Sequence, residues 1–571
     1  MKNKEIARIF NEIAEFLEIK GDNPFRIRAY RKAAQNIESL TEDLSVLIAE
    51  GRLTNVPGIG KDLAEKITEY VNSGKMQSYE DLKKDVPRGI LEIMSVPGVG
   101  PKTARMLYDA LGIDSIEKLE EAAKFHKLQK LPKIREKTEA NILKGIEFIK
   151  RSRGRIPLGM AWPVAYKIVN SLKKQDIVKC IDTAGSLRRY KDTIGDIDIL
   201  VVSSEPEKVM DIFVSLPLVG DVLAEGETKS SIRTRNGIQV DLRVVEEKSY
   251  GAALAYFTGS KAHNIRIREM AARKGLKISE YGIFNSMGKW ISGREESDVY
   301  QAVGLPWIPP ELREDTGEIE ASQSGHLPEL VELTDIKGDL HDHSNWSDGE
   351  NTIEEMADAA KKRGYKYLAI TDHSRALGVA RGLDEKRLRE QIETIRKLNG
   401  RCRDIVILCG TEANIGMNGL LDLPPELLKE LDIVVASVHS GFKQDRTGMT
   451  ERVIKCMRSG LIHVLGHPTG RLLGERDEYE IDMGEVLKVA KETNTAIEVN
   501  AYPFRLDLTD YNCKRAKEIG VRMAVSTDSH FTEQLDYMSL GVSVARRGWL
   551  EKNDIINTYS LEKLKQWLKR E

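Results

Sequence analysis

The sequence has no long apolar run, no paired-cysteine motif and no strong excess of either charge. Its five cysteines, Cys180, Cys402, Cys409, Cys456 and Cys513, show no CxxC spacing. That excludes a zinc ribbon, offers no disulfide framework and fits a reducing cytoplasm. The opening stretch MKNKEIARIFNEIAEFLEIKG is charged throughout and lacks the apolar core of a signal peptide. No segment approaches the length of a membrane span, so a soluble cytoplasmic chain is expected. Aromatics make up only 6% of the chain and charged residues 31%, which gives a heavily charged surface. The net charge of −2 taken alone argues against a nucleic-acid partner, but it conceals an asymmetry. Residues 1–300 hold 50 Lys and Arg against 43 Asp and Glu, and the rest holds 37 against 46. A mildly basic front suits DNA, and a carboxylate-rich back suits metal ions. The length leads one to expect about four domains.

What is present starts with GSLRRYKDTIGDIDILV, residues 185–201. The alternation from Gly195 to Val201 and its β-branched content predict a strand. Residues two apart on a strand share a face, so Asp196 and Asp198 set two carboxylates side by side. Such charges repel unless cations lie between them. Asp241, in the strand-like run IQVDLRVV, adds a third. Three carboxylates on neighbouring strands can hold two hard divalent ions and leave positions for phosphate oxygens. Gly185 and Ser186 offer N–H groups and a hydroxyl to those phosphates, with Arg188 and Arg189 close by. A solvated aspartate pair would explain Asp196 and Asp198 alone, but not the whole set.

The combination GS…RR…GDIDIL…VDLR resembles the nucleotidyltransferase superfamily. YFTGSKAHN, Tyr256 to Asn264, narrows the resemblance to the family X DNA polymerases, the DNA polymerase beta-like group. The resemblance implies a metal triad of Asp196, Asp198 and Asp241 carrying Mg²⁺ or Mn²⁺. It implies triphosphate contacts at Gly185, Ser186, Arg189 and Gly195, and a wall against the sugar at Tyr256, Phe257 and Gly259. Asn264 would contact the incoming base and Arg268 the template. Two positions depart from the animal enzyme: Lys261 replaces an acidic residue and His263 an aromatic. They bear on fidelity and sugar choice, not on reaction class.

Ahead of this region, residues 3–50 read as helices, and a repeat follows. NVPGIGKDLAEKI (55–67) and SVPGVGPKTARML (95–107) share an apolar-Pro-Gly-apolar-Gly turn leading into a helix. Gly58 and Gly60, like Gly98 and Gly100, permit a tight turn whose amides face a phosphate. The pair resembles the helix-hairpin-helix motif, which grips the DNA backbone without reading sequence. A third copy, KLPKIREKTEANIL, has Lys133 and Arg135 in place of glycines and reads as a relic. By resemblance, Lys66 stands where the family has a Schiff-base lysine for lyase chemistry, although Asp62 replaces a supporting lysine. Such a lysine needs a lowered pKa.

The second half has a different rhythm. IKGDLH, YLAITD, DIVILCG, DIVVAS, IHVLG, AIEVN and VRMAVS read as buried parallel strands separated by helices, an α/β sheet or barrel. Metal-type residues follow six of these runs: His341, His343 and Asp348; His373; Glu412; His439; His467; and Asp528 with His530. In such barrels the strand ends converge on one face. HDHSNWSDG, TDHS, GTEAN, SVHS, GHP and STDSH resemble the PHP (polymerase and histidinol phosphatase) domain, which implies a seven-stranded barrel holding up to three ions. Ser344 replaces the usual threonine, and His463 reads as core. Mixed imidazole and carboxylate ligation suits Mn²⁺, Zn²⁺ or Fe²⁺.

The expected organisation is therefore a multidomain chain. A helical lyase-like domain with the first hairpin covers 1–85, and a fingers-like domain with the second covers 86–150. An α+β palm, read as an antiparallel layer, spans 151–245 and a thumb 246–306. A linker at 307–335 leads to the PHP barrel at 336–571. The expected function is gap-filling DNA synthesis in repair joined to a phosphoesterase that trims 3′ ends or cuts at abasic sites. The partners would be gapped or primed DNA and dNTPs, with no membrane, and the chain a nucleoid-associated monomer. A barrel that serves only as a metal-bound scaffold, one that acts on a small phosphate monoester, and a template-independent transferase all remain open from the residues.

Overall fold

The computed structural model describes residues 2–38, 44–56, 58–85, 90, 93–94, 96, 99–132, 134–136, 138–143, 146, 155–375, 380–401 and 404–569. The chain divides into two compact units, Met1–Arg153 and Gly154–Glu571. Gly98 and Lys133 lie outside the described residues.

The first unit is helical and has two cores. One packs Ile6, Phe10, Ile13 and Leu17 against Tyr30 and Ile67, and the other gathers Phe16, Ile19, Ala104, Leu107 and Leu119. The described residues of the two hairpin repeats match at the turn bond and at the helix start. Ile59 N–H bonds Val56 O at 3.0 Å, and Val99 N–H bonds Val96 O at 2.9 Å. Helix α1 (Lys61–Ser73) starts at Gly60 and α2 (Pro101–Leu111) at Gly100, with φ −81° and ψ near 175° at both. Neither helix start has a side-chain cap, so its first N–H groups are left to an outside acceptor. Gly58 has φ +81°, which favours glycine.

The second unit opens with α3 (Leu158–Lys173). It buries Leu158, Ala161, Ala165, Ile168 and Leu172 along one stripe. That stripe covers a five-stranded sheet of β1 (Val178–Thr183), β2 (Ile197–Ser203), β3 (Val219–Ala224), β4 (Lys229–Thr234) and β5 (Gln239–Val245), in the order β1-β2-β5-β4-β3. The sheet is mixed, which corrects the antiparallel expectation: β2 and β5 run parallel, because β3 and β4 intervene before the chain returns beside β2. The short helix α4 (Gly185–Arg188) lies between β1 and β2. Helices α5 (Tyr250–Thr258), α6 (Lys261–Arg273) and α7 (Glu296–Val303) and a small hairpin sheet follow.

The stretch read as a linker is instead packed structure. It contains the helix Glu318–Gln323, and Arg313 and Glu318 have no exposed surface. Arg313 Nη1 donates to Glu296 at 2.6 Å, and Glu318 lies 2.7 Å from His263 Nδ1 while accepting the N–H groups of Asp315 and Thr316. Acidic and small residues look solvated by composition. Here Glu311, Glu314 and Glu318 meet Arg546, Arg189 and His263, which is what lets charge be buried.

Seven parallel strands then form the barrel in sequence order: β6 (Gly338–Asp342), β7 (Tyr367–Ile370), β8 (Val406–Asn414), β9 (Ile433–Ser437), β10 (Val464–Leu465), β11 (Ala496–Asn500) and β12 (Met523–Ser526). Asp528 N–H bonds His341 O at 3.0 Å and His343 N–H bonds Ser529 O at 2.7 Å, joining the last strand end to the first. Leu564 and Leu568 of the final helix plug the opposite end. Palm and barrel share one apolar cluster. Arg471 Nη1 also reaches Asp192 at 3.1 Å, and Gly159 lies so close to Pro503 that a Cβ would sit 2.0 Å from it.

Candidate active sites

The parallel pairing of β2 and β5 sets Asp198 directly beside Asp241, and Asp196 stands just before β2. One carboxylate oxygen from each of the three lies within 4.8 Å of the others. Burial, then repulsion from Asp196 and Asp241, pushes the Asp198 carboxyl up to about 7. Three hard oxygen donors under mutual repulsion fit a divalent cation. Gly185 has φ +61°, and a Cβ there would meet Asp198 Oδ2 at 2.4 Å, so only glycine lets this turn approach the triad. Ser186 lies on α4 and Gly195 in the bend before β2. Arg189 closes the same turn: its Nε donates to Glu314 at 3.0 Å and its Nη1 to the Thr258 carbonyl.

In the barrel all nine expected residues converge. Ligand-type atoms of His343, Asp348, His373 and His530 form one cluster, those of His341, His343 and Glu412 a second, and those of His373, Glu412 and His439 a third. His467 Nε2 lies 3.0 Å from Glu412, and His343 Nε2 lies 3.2 Å from Asp528. His341 Nε2 stands 3.4 Å and His439 Nε2 3.1 Å from Glu412, yet neither makes an aligned hydrogen bond. Buried ring nitrogens crowding a carboxylate without bonding to it fit metal ligands better than a polar core. His467 (φ 24°) and Asp528 (φ 53°) hold left-handed backbone, strain of the kind that gathers at functional sites. Burial opposes charge on His341, but Glu498, Glu412 and Asp528 outweigh it and hold its pKa well above the usual range. His343, by contrast, is lowered to about 4 by burial and by His530 and His373.

Family models match four stretches: a helix-hairpin-helix domain at 1–76, a SAM-like helix-hairpin-helix tandem at 90–147, a DNA polymerase beta thumb at 253–314 and a PHP domain at 339–502. The DNA polymerase/3′-5′ exonuclease PolX of Bacillus subtilis (strain 168) is 40% identical over 573 residues, covering 100% of both chains. The chain belongs to the family X DNA polymerases that carry a PHP domain. DNA polymerase lambda of Rattus norvegicus is 26% identical over 55% of this chain and 56% of its own. A probable phosphatase of Thermoanaerobacter sp. (strain X514) is 32% identical over 40% of this chain and 94% of its own. Among the described residues no helix is long and apolar enough to cross a membrane.

In this family X polymerase, Tyr256 and Phe257 meet edge to face on α5, with Arg243 over the Phe257 ring. Asn264 Nδ2 donates to Tyr256 O at 2.7 Å, and Asn264, Arg268 and Tyr256 line one crevice. Gly259 has φ +74° and faces Arg189. His263 turns inward, between Glu318 and the Tyr300 hydroxyl. Lys66 departs from the expectation. Burial would lower its pKa, but its bond to Asp62 and the nearby Tyr30 raise it above the ordinary value. A Schiff-base lysine needs the opposite shift, so this arrangement does not favour lyase chemistry.

Sequence reasoning missed Glu498 and Asn500, the contribution of the sixth strand. Glu498 bonds His341 Nδ1 at 2.8 Å and accepts His467 N–H at 2.6 Å; Asn500 bridges Glu498 and Asp528 at 3.1 Å each. Such partners orient metal-ligating imidazoles. An acidic residue inside the apolar run AIEVN was the available signal. Asp372 was missed too: it accepts the hydroxyls of Ser344 and Ser347. His463 accepts Val434 N–H at 2.9 Å and lies apart from the clusters.

Proposed function

We propose that this chain is a DNA-directed DNA polymerase that fills short gaps in repair, and that its barrel is a phosphoesterase processing DNA 3′ ends or abasic sites. The observation that carries this reading is the presence, within one compact unit, of two metal-type clusters of different chemistry. In the palm, Asp196, Asp198 and Asp241 hold Mg²⁺ or Mn²⁺, which when bound screen the triphosphate and activate the primer hydroxyl. Gly185, Ser186, Arg189 and Gly195 hold the phosphates. Tyr256, Phe257 and Gly259 wall the sugar, Asn264 meets the base and Arg268 the template. The amides at Gly58, Gly60, Gly98 and Gly100 grip the duplex backbone, so binding should fall with salt and show little sequence preference.

In the barrel, His341, His343, Asp348, His373, Glu412, His439, His467, Asp528 and His530 hold up to three Mn²⁺, Zn²⁺ or Fe²⁺ ions, which when bound supply hydroxide and clamp a phosphate. Glu498 fixes the His341 tautomer. The similarity of the barrel to a probable phosphatase favours a second reading, hydrolysis of a small phosphate monoester. We assign the protein to the cytoplasm, as a monomer on nucleoid DNA. The test is a 5′-labelled primer in a gapped duplex with Mn²⁺, followed with and without dNTPs, beside a 3′-phosphate primer and a small phosphate monoester. Extension and shortening on the DNA support the first reading. Release of the 3′-phosphate also supports the first, whereas turnover of the small monoester alone supports the second.

A further inference from the structure

Two guanidiniums from distant parts of the chain converge on one carboxylate oxygen. Glu314 Oε1 accepts from Arg189 Nε at 3.0 Å and from Arg547 Nη1 at 3.1 Å, and Lys191 Nζ stands 4.0 Å away. Arg189 belongs to the palm turn beside the carboxylate triad. Arg547 is the last residue of helix α8 (Met538–Arg547), on the flank of the barrel. Arg547 is buried, 3% exposed. Its Nη1 also donates to the Arg189 carbonyl at 2.7 Å, and its Nη2 donates to Asp510. Apart from Thr258 O, the groups that fix Arg189 thus come from the segment first read as a linker and from the barrel.

The local charge count gives this arrangement a sign. Arg189, Arg547, Lys191 and the neighbouring Arg155 stand against Glu314 and Asp510, leaving positive charge in excess beside this turn. Both carboxylates stay ionised: burial raises them, but the arginines outweigh it. Without Arg547, Glu314 would be left to Arg189 and the more distant Lys191, and the excess would fall. Without the Glu314 charge, Arg189 would be released and the excess would grow.

We propose that Arg547, a barrel residue, is a positioning residue for nucleotide binding in the palm: by sharing Glu314 it keeps Arg189 free to turn its charge to a triphosphate. This rests on the reading of Arg189 as a triphosphate contact. The barrel therefore takes part in synthesis through electrostatics, separately from its own hydrolytic site.

The experiment measures binding of dCTP, with Ca²⁺ in place of the catalytic ion, to full-length protein on a gapped duplex with a dideoxy-terminated primer and a templating G. It also measures KM and kcat with Mn²⁺. Arg547→Gln should weaken dCTP binding and raise KM about five- to tenfold, with kcat changed by less than about twofold. Arg547→Lys should recover most of the loss. Glu314→Gln should leave binding equal or tighter, and the double variant should return to within about threefold of the parent. Hydrolysis by the barrel, unchanged throughout, reports an intact fold. If Arg547→Gln folds poorly, the lysine and double variants carry the test. Arg189→Ala is the control: if it leaves dCTP binding unchanged, the reading of Arg189 fails and the proposal with it. If Arg189→Ala weakens binding but Arg547→Gln does not, the proposal alone is overturned. Equal weakening by Arg547→Gln and Glu314→Gln would also overturn it, because a merely structural network suffers from either loss.

Discussion

The palm and barrel clusters handle the same problem, concentrated charge, in opposite ways. The palm triad is all carboxylate and partly open to solvent, and its charges repel. Burial and the two neighbouring aspartates push Asp198 up to about 7. The barrel cluster is largely buried and mixes imidazoles with carboxylates, which compensate each other. Burial raises Glu412, but His439, His373 and His341 hold it well below the carboxylate range. Asp528 is held down in the same way by His341 and His343. A site that is strained when empty suits ions that arrive with substrate. One that is internally balanced, with softer donors, suits resident ions.

The largest test of this contrast is separation of the two chemistries. Asp198→Ala should cut primer extension by about a thousandfold or more while sparing hydrolysis, and His341→Ala should do the reverse. Loss of both activities in either variant would break the comparison. Next is metal retention. After dialysis against a chelator, elemental analysis should find ions still in the barrel, and Glu412→Gln, which removes a donor shared by two clusters, should weaken that retention by at least about a hundredfold.

Glu296 offers a third test, a carboxylate balanced by arginines instead of ions. Burial raises its pKa, but Arg313 and Arg188 outweigh it and bring it down to about 2. Its contribution is therefore present above about pH 4.5 and lost as pH falls toward 2. Glu296→Gln should cost about 3 kcal/mol near neutrality, because Arg313 is left buried without its partner, and the gap from the parent should narrow in acid unfolding curves. The smallest effect sharpens the contrast most. Asp198→Asn should stabilise the metal-free protein by about 1 kcal/mol in thermal unfolding although it abolishes synthesis, because it removes a repelling charge.

The sites were legible wherever chemistry followed a periodic signal. Asp196 and Asp198 fall in an alternating run, and the barrel ligands lie at the ends of short apolar runs that read as strands. Glu498 was not legible in this way, because it interrupts the short run AIEVN and reads as an incidental polar residue. Residues 307–335 misled for another reason: composition registers charge but not partners, and Glu314 and Glu318 find theirs on elements far away in sequence. The parallel pairing of β2 with β5 was hidden likewise, since local patterning fixes a strand and not its neighbour. The raised pKa of Lys66 depends on Asp62 and Tyr30 outweighing its burial, a balance that only the folded geometry shows.

The seam that closes the barrel, where Asp528 N–H meets His341 O and His343 N–H meets Ser529 O, also sets a timetable. A chain leaving the ribosome N-terminus first releases the palm triad long before residue 530. The earliest barrel ligands wait for the last ones while nearly the whole barrel sequence is made. Closing contacts of such long sequence separation is slow, and domains made earlier fold first. The cluster of imidazoles and carboxylates in the barrel is therefore complete only after residue 530 has been made, whereas all three palm aspartates are present by residue 241.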